Sequence, residues 1–127
     1  MAKREVKVGV YDLGAESVEL WLRPGGGAGF STRSGSQEAR GMAVIRCGSD
    51  TTWGEMVGNL LHEAKEFIQM RMGTRMVPDV DYARDQAGYA FFETHTQHSE
   101  ACARVGHFLS ECLPDLGRAW KQWKKGQ

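Results

Sequence analysis

A histidine and two glutamates in the middle of the chain have the types and the spacing to bind a metal ion. His62 and Glu66 are four residues apart, and side chains at that separation are neighbours on one face of a helix. Imidazole and carboxylate groups are both zinc ligands. Glu63 directly follows the histidine and could take a proton from a metal-bound water. This stretch therefore predicts a zinc site if it is helical and a third ligand lies close by.

Two histidines about thirty residues further along are the candidates for that third ligand. His95 and His98 fall within residues 93–98, and they are two of the four histidines in the chain. Their approach to His62 depends on how a second helix crosses the first. Because position 66 carries a carboxylate in place of a second imidazole, we expect these groups to lie close together without binding zinc tightly. No cofactor is favoured, and zinc is the alternative.

The helix that would carry the motif is predicted over residues 53–72. Thr52 and Glu55 match a capping box at its start, and Gly73 fits its end. The opposite, polar face includes His62 and Glu66, and it could line a cleft or simply face solvent. The apolar residues repeat with a period of 3.6 and form one stripe: Trp53, Met56, Val57, Leu60, Ala64, Phe67 and Ile68.

Strand patterns precede this helix. Residues 5–11 alternate, which predicts a half-buried strand with Val6, Val8 and Val10 towards the core, and residues 18–22 repeat the pattern. Residues 42–45 predict a third strand, and residues 88–92 could add another. We therefore predict an α+β fold, with a three- to four-stranded antiparallel sheet packed by a long central helix and C-terminal helices.

The remaining segments complete a predicted single domain over residues 1–127. Residues 24–41 are rich in Gly and Ser, which predicts a mobile loop. A second helix is predicted to begin at residues 96–99 and to end at Pro114, because the residue before a proline avoids the helical region. A third, short helix follows. Cys102 and Cys112 lie on the apolar stripe of the second helix and are predicted to be buried thiols.

Composition excludes several classes of protein. Sixteen basic and sixteen acidic residues balance, so nucleic acid is not an expected partner. No run approaches the roughly 18 apolar residues that a membrane span needs. Three widely spaced cysteines argue against a secreted disulfide framework, and no apolar leader follows the N-terminus. These features predict a protein of the reducing cytosol.

A basic, aromatic segment near the C-terminus is a candidate contact surface. Trp120 and Trp123 alternate with Lys121 and Lys124, and such a helix can dock on a partner protein, on RNA or on a membrane surface. In the alternative interpretation the two indoles cover the core while the lysines extend into solvent. We favour that alternative.

The fragment Leu60-Leu61-His62-Glu63-Ala64 resembles the active-site helix of zinc peptidases. The order of strands, this helix and a second helix resembles small zincin-like domains, which are often found among phage and prophage proteins. The resemblance covers residues 42–113. It implies that His62 is a metal ligand and that Glu63 is the catalytic acid/base. Glu66 departs from the family pattern, since it stands where the second histidine belongs.

Two functions follow from these observations. The favoured one is a small cytosolic, phage-type effector that binds a protein, such as an inhibitor of a host protein, on a degenerate metallopeptidase-like scaffold. The alternative is a zinc-dependent hydrolase or peptidase with His62, Glu66 and either His95 or His98 as ligands and Glu63 as general base. The incomplete motif favours the binding protein.

Overall fold

Within the residues that the structure describes, the fold consists of a four-stranded sheet, a two-stranded ribbon and two long helices. The computed structural model describes residues 4–31, 42–76 and 90–126. In chain order the elements are β1 (Val6–Leu13), β2 (Glu16–Arg23), β3 (Ala28–Ser31), β4 (Ala43–Gly48), α1 (Trp53–Arg71), β5 (Arg75–Met76), β6 (Ala90–Phe91) and α2 (His95–Lys125). The α+β class predicted from the sequence is confirmed.

The main sheet is mixed, so the predicted antiparallel sheet is wrong in one pairing. Its order is β1-β2-β4-β3, with β4 parallel to β2 and antiparallel to β3. The reason is β3, which lies inside the segment predicted as a mobile loop. An additional strand adds one reversal of direction, so β4 runs with β2. Phe30 of β3 packs edge-on against Phe67 of α1, with ring centroids 5.6 Å apart. Residues 32–41 of the predicted loop lie outside the described residues.

The second half of β1 presents the opposite face from the one that its valines predict. Val8 packs against the core as predicted, but beyond Gly9 the buried residues are Tyr11 and Leu13, and Val10 is exposed. The cause is a bulge between Lys7 and Gly9, where the pairing of β1 with β2 shifts by one residue. A one-residue shift turns every later side chain to the other face of the sheet.

The central helix α1 is confirmed over nearly all of its predicted length. The Thr52 hydroxyl accepts a hydrogen bond from the backbone N–H of Glu55, at 3.2 Å, and caps the first turn. Gly73 has a φ of 76°, a left-handed conformation that ends the helix at little cost. Leu60, Ala64 and Phe67 are completely buried. Trp53 and Val57 are half-buried at the margin of the apolar stripe.

The second helix continues through Pro114, so the predicted break and the separate third helix are wrong. Proline removes the hydrogen bond to the carbonyl of Ser110. Ser110 and Pro114 are both exposed, and water can replace the lost donor. Packing compensates for the remaining cost, since Cys112 and Leu116 are buried on either side of the proline.

Both helices cover one face of the sheet and form the core with it. The α2 helix is tied to β1 by the Tyr11 hydroxyl, which donates to Asp115 Oδ2 at 2.7 Å. Gly48 of β4 lies against the backbone of Gly26, where an added Cβ would come within 2.6 Å of a carbonyl carbon. Within the described ranges, neither helix is long and apolar enough to cross a membrane.

Candidate binding groove

A groove of about 580 Å³ runs between α1 and the start of α2, where the β5–β6 ribbon connects them. Three of the predicted site residues, His62, Glu66 and His98, line it together. The crossing of the helices therefore brings the motif of α1 next to the second histidine cluster. The complete lining is Gly58, Leu61, His62, Lys65, Glu66, Gln69, Phe91, Glu93 and His98.

The His62 and Glu66 side chains pair directly on α1. Nε2 of His62 lies 3.2 Å from Oε2 of Glu66, as expected for side chains one helical turn apart. The imidazole is 70% exposed, whereas the carboxylate is only 13% exposed. The carboxylate thus forms part of the groove floor, and the imidazole stands at its solvent side.

A second carboxylate lies opposite, held by two donors from different elements. Nδ1 of His98 is 3.1 Å from Oε1 of Glu93, and Nε2 of Gln69 donates to Oε2 at 3.3 Å. Burial acts to raise the pKa of Glu93, but the hydrogen bonds from Gln69 and His98 and the positive charge of Lys65 lower it below the ordinary value. Glu93 is therefore an ionised, anchored acceptor at neutral pH.

The ribbon after α1 is what places Glu93 there. The backbone N–H of Phe92 donates a hydrogen bond to the carbonyl of Thr74 at 2.9 Å. The backbone N–H and the hydroxyl of Thr74 in turn both donate to the carbonyl of Gln69. This brings residue 93 next to the last turn of α1. Gln69 is buried, and no sequence signal indicates its contact with Glu93.

Two of the predicted metal-site residues, Glu63 and His95, do not line the groove. Glu63 lies on the flank of α1 near the thiol of Cys47, and burial is the main reason that its pKa is raised, with the charge of Glu66 adding to the effect and His62 opposing it. His95 is an exposed residue in the first turn of α2, immediately after its cap at Thr94. The candidate general base therefore does not line the groove that His62, Glu66 and His98 line.

The donor set does not fit zinc. In the described part of the chain, no group of three His, Cys, Asp or Glu side chains is arranged to hold a metal ion. The imidazoles of His62 and His98 are each directed at a different carboxylate, Glu66 and Glu93. A zinc site needs these donors to converge on one point.

Exposed apolar side chains cluster at the groove. Among the described residues, five large hydrophobic side chains are exposed, and three of them lie at or next to the groove. Leu61 is 43% exposed and Phe91 42%, and both line it; Phe92, between two lining residues, is 67% exposed. A cluster of this kind marks an interaction surface more often than scattered single residues do.

The basic segment near the C-terminus is mostly packed. Trp123 is buried in the core, and Trp120 is half-buried, with its Nε1 donating to the Ser49 carbonyl at 3.3 Å. Lys124 Nζ lies 5.4 Å from the centroid of the Trp120 ring, and Lys121 is exposed. This is the arrangement of the alternative interpretation, in which indoles cover the core and lysines extend outward.

Comparisons with protein-family models, curated proteins and solved structures find no match to this chain. The resemblance to small zincin-like domains stays a prediction from residues 60–64. The chemistry of the groove is therefore the basis on which a function can be assigned.

Proposed function

We propose that this protein is a small binding protein that holds a segment of a partner protein in the groove between α1 and α2. The supporting observation is the combination of an exposed apolar rim with two anchored carboxylates. Leu61 and Phe91 supply apolar surface that a partner can cover, and Glu66 and Glu93 supply fixed negative charge. Interfaces bind most strongly where apolar anchors surround a few well-placed polar groups.

The charge of the groove indicates what the partner presents. Apart from its two histidines, the lining contains two carboxylates and one ammonium group, that of Lys65, so negative side chains outnumber positive ones. Glu66 and Glu93 already have their geometry fixed by hydrogen bonds, so little entropy is lost when a ligand binds them. The proposed ligand is therefore a lysine or arginine side chain flanked by apolar residues.

The scaffold and setting form part of the same proposal. The His62–Glu63 pair on a long helix packed against a sheet supports descent from a metallopeptidase-like domain, and Glu66 in place of a histidine supports the loss of its metal. A phage-type effector that occupies a host protein in the cytosol is consistent with such a history. The zinc hydrolase is less well supported, because Glu63 lies outside the groove.

Peptide binding tests the proposal. Short peptides with a central arginine between leucine or phenylalanine residues are compared, by fluorescence anisotropy, with the same peptides carrying glutamate at the centre. We expect the arginine peptides to bind at least about tenfold more tightly, the equivalent of roughly 1.4 kcal/mol, since a hydrogen bond to a charged group contributes about that much or more. Glu93→Gln should remove most of that preference.

A matched pair of variants controls for nonspecific apolar binding. Leu61 in the groove and Val10 on the distant face of the sheet are both 43% exposed. Leu61→Ala should weaken peptide binding, whereas Val10→Ala should not. Equal losses in the two variants, or equal affinity for arginine and glutamate peptides, would refute this function.

A further inference from the structure

A cysteine next to the groove extends the Glu93–His98 pair into a three-residue chain. Cys102 lies one turn after His98 on α2, and its Sγ is 3.7 Å from Nε2 of the imidazole. The other ring nitrogen, Nδ1, is 3.1 Å from Glu93 Oε1, and Gln69 fixes the second carboxylate oxygen. Thiol, imidazole and carboxylate thus follow one another in the order found at nucleophilic sites.

The hydrogen bonds determine which ring nitrogen can accept a proton. An ionised carboxylate only accepts hydrogen bonds, so Nδ1 of His98 must donate to Glu93. In neutral imidazole the other nitrogen then carries the lone pair, and that nitrogen, Nε2, is the one next to the Cys102 thiol. The geometry therefore orients His98 as a base towards Cys102.

Cys102 is also the accessible thiol of the chain, contrary to the sequence prediction that it is buried. Cys47 and Cys112 are buried, and burial raises the pKa of each thiol to about 12. Cys102 is exposed because α2 presents only Ala101 and Val105 to the core in this region. A reagent in solution can therefore approach Sγ directly.

We propose that Cys102, His98 and Glu93 form a nucleophilic site that accepts an acyl group from an activated carboxylic ester. The thiol proton moves to Nε2 of His98 as Sγ attacks the ester carbonyl carbon. The new bond joins sulfur to carbon, the carbon–oxygen bond to the leaving group breaks, and the leaving oxygen takes the proton from Nε2. The products are a thioester on Cys102 and the free alcohol or phenol. Glu93 acts as a positioning residue that keeps the proton on Nδ1.

This chemistry goes beyond the proposed binding function and does not depend on it. The exposed Leu61 and Phe91 lie on the neighbouring groove wall, where the acyl chain of an ester could pack. Water can later hydrolyse the thioester, which would return the free thiol.

The test uses p-nitrophenyl acetate with the intact protein. Release of nitrophenolate is followed by absorbance, and mass spectrometry locates the acetyl group. We expect acetylation of Cys102, absent in Cys102→Ser. His98→Gln should acylate about 100-fold more slowly, the lower end of what a positioned general base contributes. The matched control is His107→Gln, which removes an exposed histidine paired with Glu111 elsewhere on α2 and should leave the rate unchanged.

The role of Glu93 has a separate, spectroscopic readout. An amide can donate its N–H to Nδ1, so Glu93→Gln should move the imidazole proton from Nδ1 to Nε2 and slow acylation. NMR of the imidazole nitrogens in wild type and variant reports that shift directly, while circular dichroism checks that the variants stay folded. The proposal is overturned if His98→Gln acylates as fast as wild type, or if the acetyl group is found on lysines in preference to Cys102.

Discussion

Two adjacent leucines of α1 provide a test of the fold and of the groove together. Leu60 is completely buried beneath the sheet, whereas Leu61, the next residue, is 43% exposed at the rim of the groove. The same substitution, leucine to alanine, therefore removes core packing at one position and only groove surface at the other.

The expected cost at Leu60 follows from the atoms removed. Leu60→Ala deletes three buried carbon atoms, and at about 0.8 kcal/mol for each buried methylene-sized group the transfer alone contributes roughly 2.4 kcal/mol. The cavity left behind adds to this, for a total of roughly 2.5 to 5 kcal/mol, depending on how far α1 can move towards the sheet. Leu61→Ala should change the free energy of unfolding by less than about 0.5 kcal/mol.

Urea denaturation followed by circular dichroism measures both variants. The midpoint of Leu60→Ala should fall while its m-value stays that of wild type, since the same surface is exposed on unfolding. Leu61→Ala should have the same denaturation midpoint as wild type and should be impaired only in peptide binding. Similar destabilisation of the two variants would mean that the apolar face of α1 has been assigned wrongly, and with it the position of His62.

Three further predictions concern other parts of the molecule. Gly48→Ala should destabilise the fold by about 1 to 3 kcal/mol, because the added Cβ would overlap the backbone of Gly26. Gly106→Ala should stabilise it by roughly 0.5 to 1 kcal/mol, because the added Cβ meets open space on α2. Thermal denaturation should show a lower melting temperature for the first variant and a higher one for the second. Burial raises the pKa of the Cys47 and Cys112 thiols from about 9 to about 12. The stability that the two neutral thiols contribute is therefore complete below about pH 9 and is lost as the pH rises towards about 12. The free energy of unfolding, measured by urea denaturation, should be lower at about pH 10 than at about pH 8. Zinc titration by calorimetry should give no tight binding; one-to-one binding that His62→Ala abolishes would instead support the hydrolase.

The elements best predicted from sequence are those whose pattern is local and regular. The helix α1 is long, has a clear apolar stripe and carries signals at both ends, Thr52 and Gly73. β2 is also confirmed, since Val18, Leu20 and Leu22 are all buried as their alternation predicts. In these segments propensity, periodicity and packing agree.

The errors arise where a tertiary contact overrides a local rule. Glycine-rich composition conceals β3, which is stabilised by pairing with β4 and by Phe30 packing on Phe67. A bulge near Gly9 turns the second half of β1 to the opposite face. Pro114 does not end α2 because the buried stripe continues past it. None of these contacts can be read from neighbouring residues alone.

The candidate site was predictable only in part, for a related reason. Helical spacing alone places His62 beside Glu66. The hydrogen bonds that run from Gln69 through Glu93 to His98 and Cys102 join α1, the second residue after β6, and α2. They therefore depend on how these three parts of the chain pack together. The spacing of these residues in the sequence does not predict how the three parts pack against one another.

The first turns of α2 have a further consequence for how the groove behaves over time. No side chain of α2 before Ala101 is buried, so about 9 Å of helix extends beyond the core and is held at its tip by the capping box of Thr94 and Gln97. Such an end frays more readily than the packed turns around Phe108, and its amide hydrogens should exchange with solvent sooner. His98 lies on this segment, so the groove wall formed by α2 can open locally while the floor formed by α1 stays in place. A bound ligand that spans both helices would therefore be visible as slower amide exchange at the start of α2.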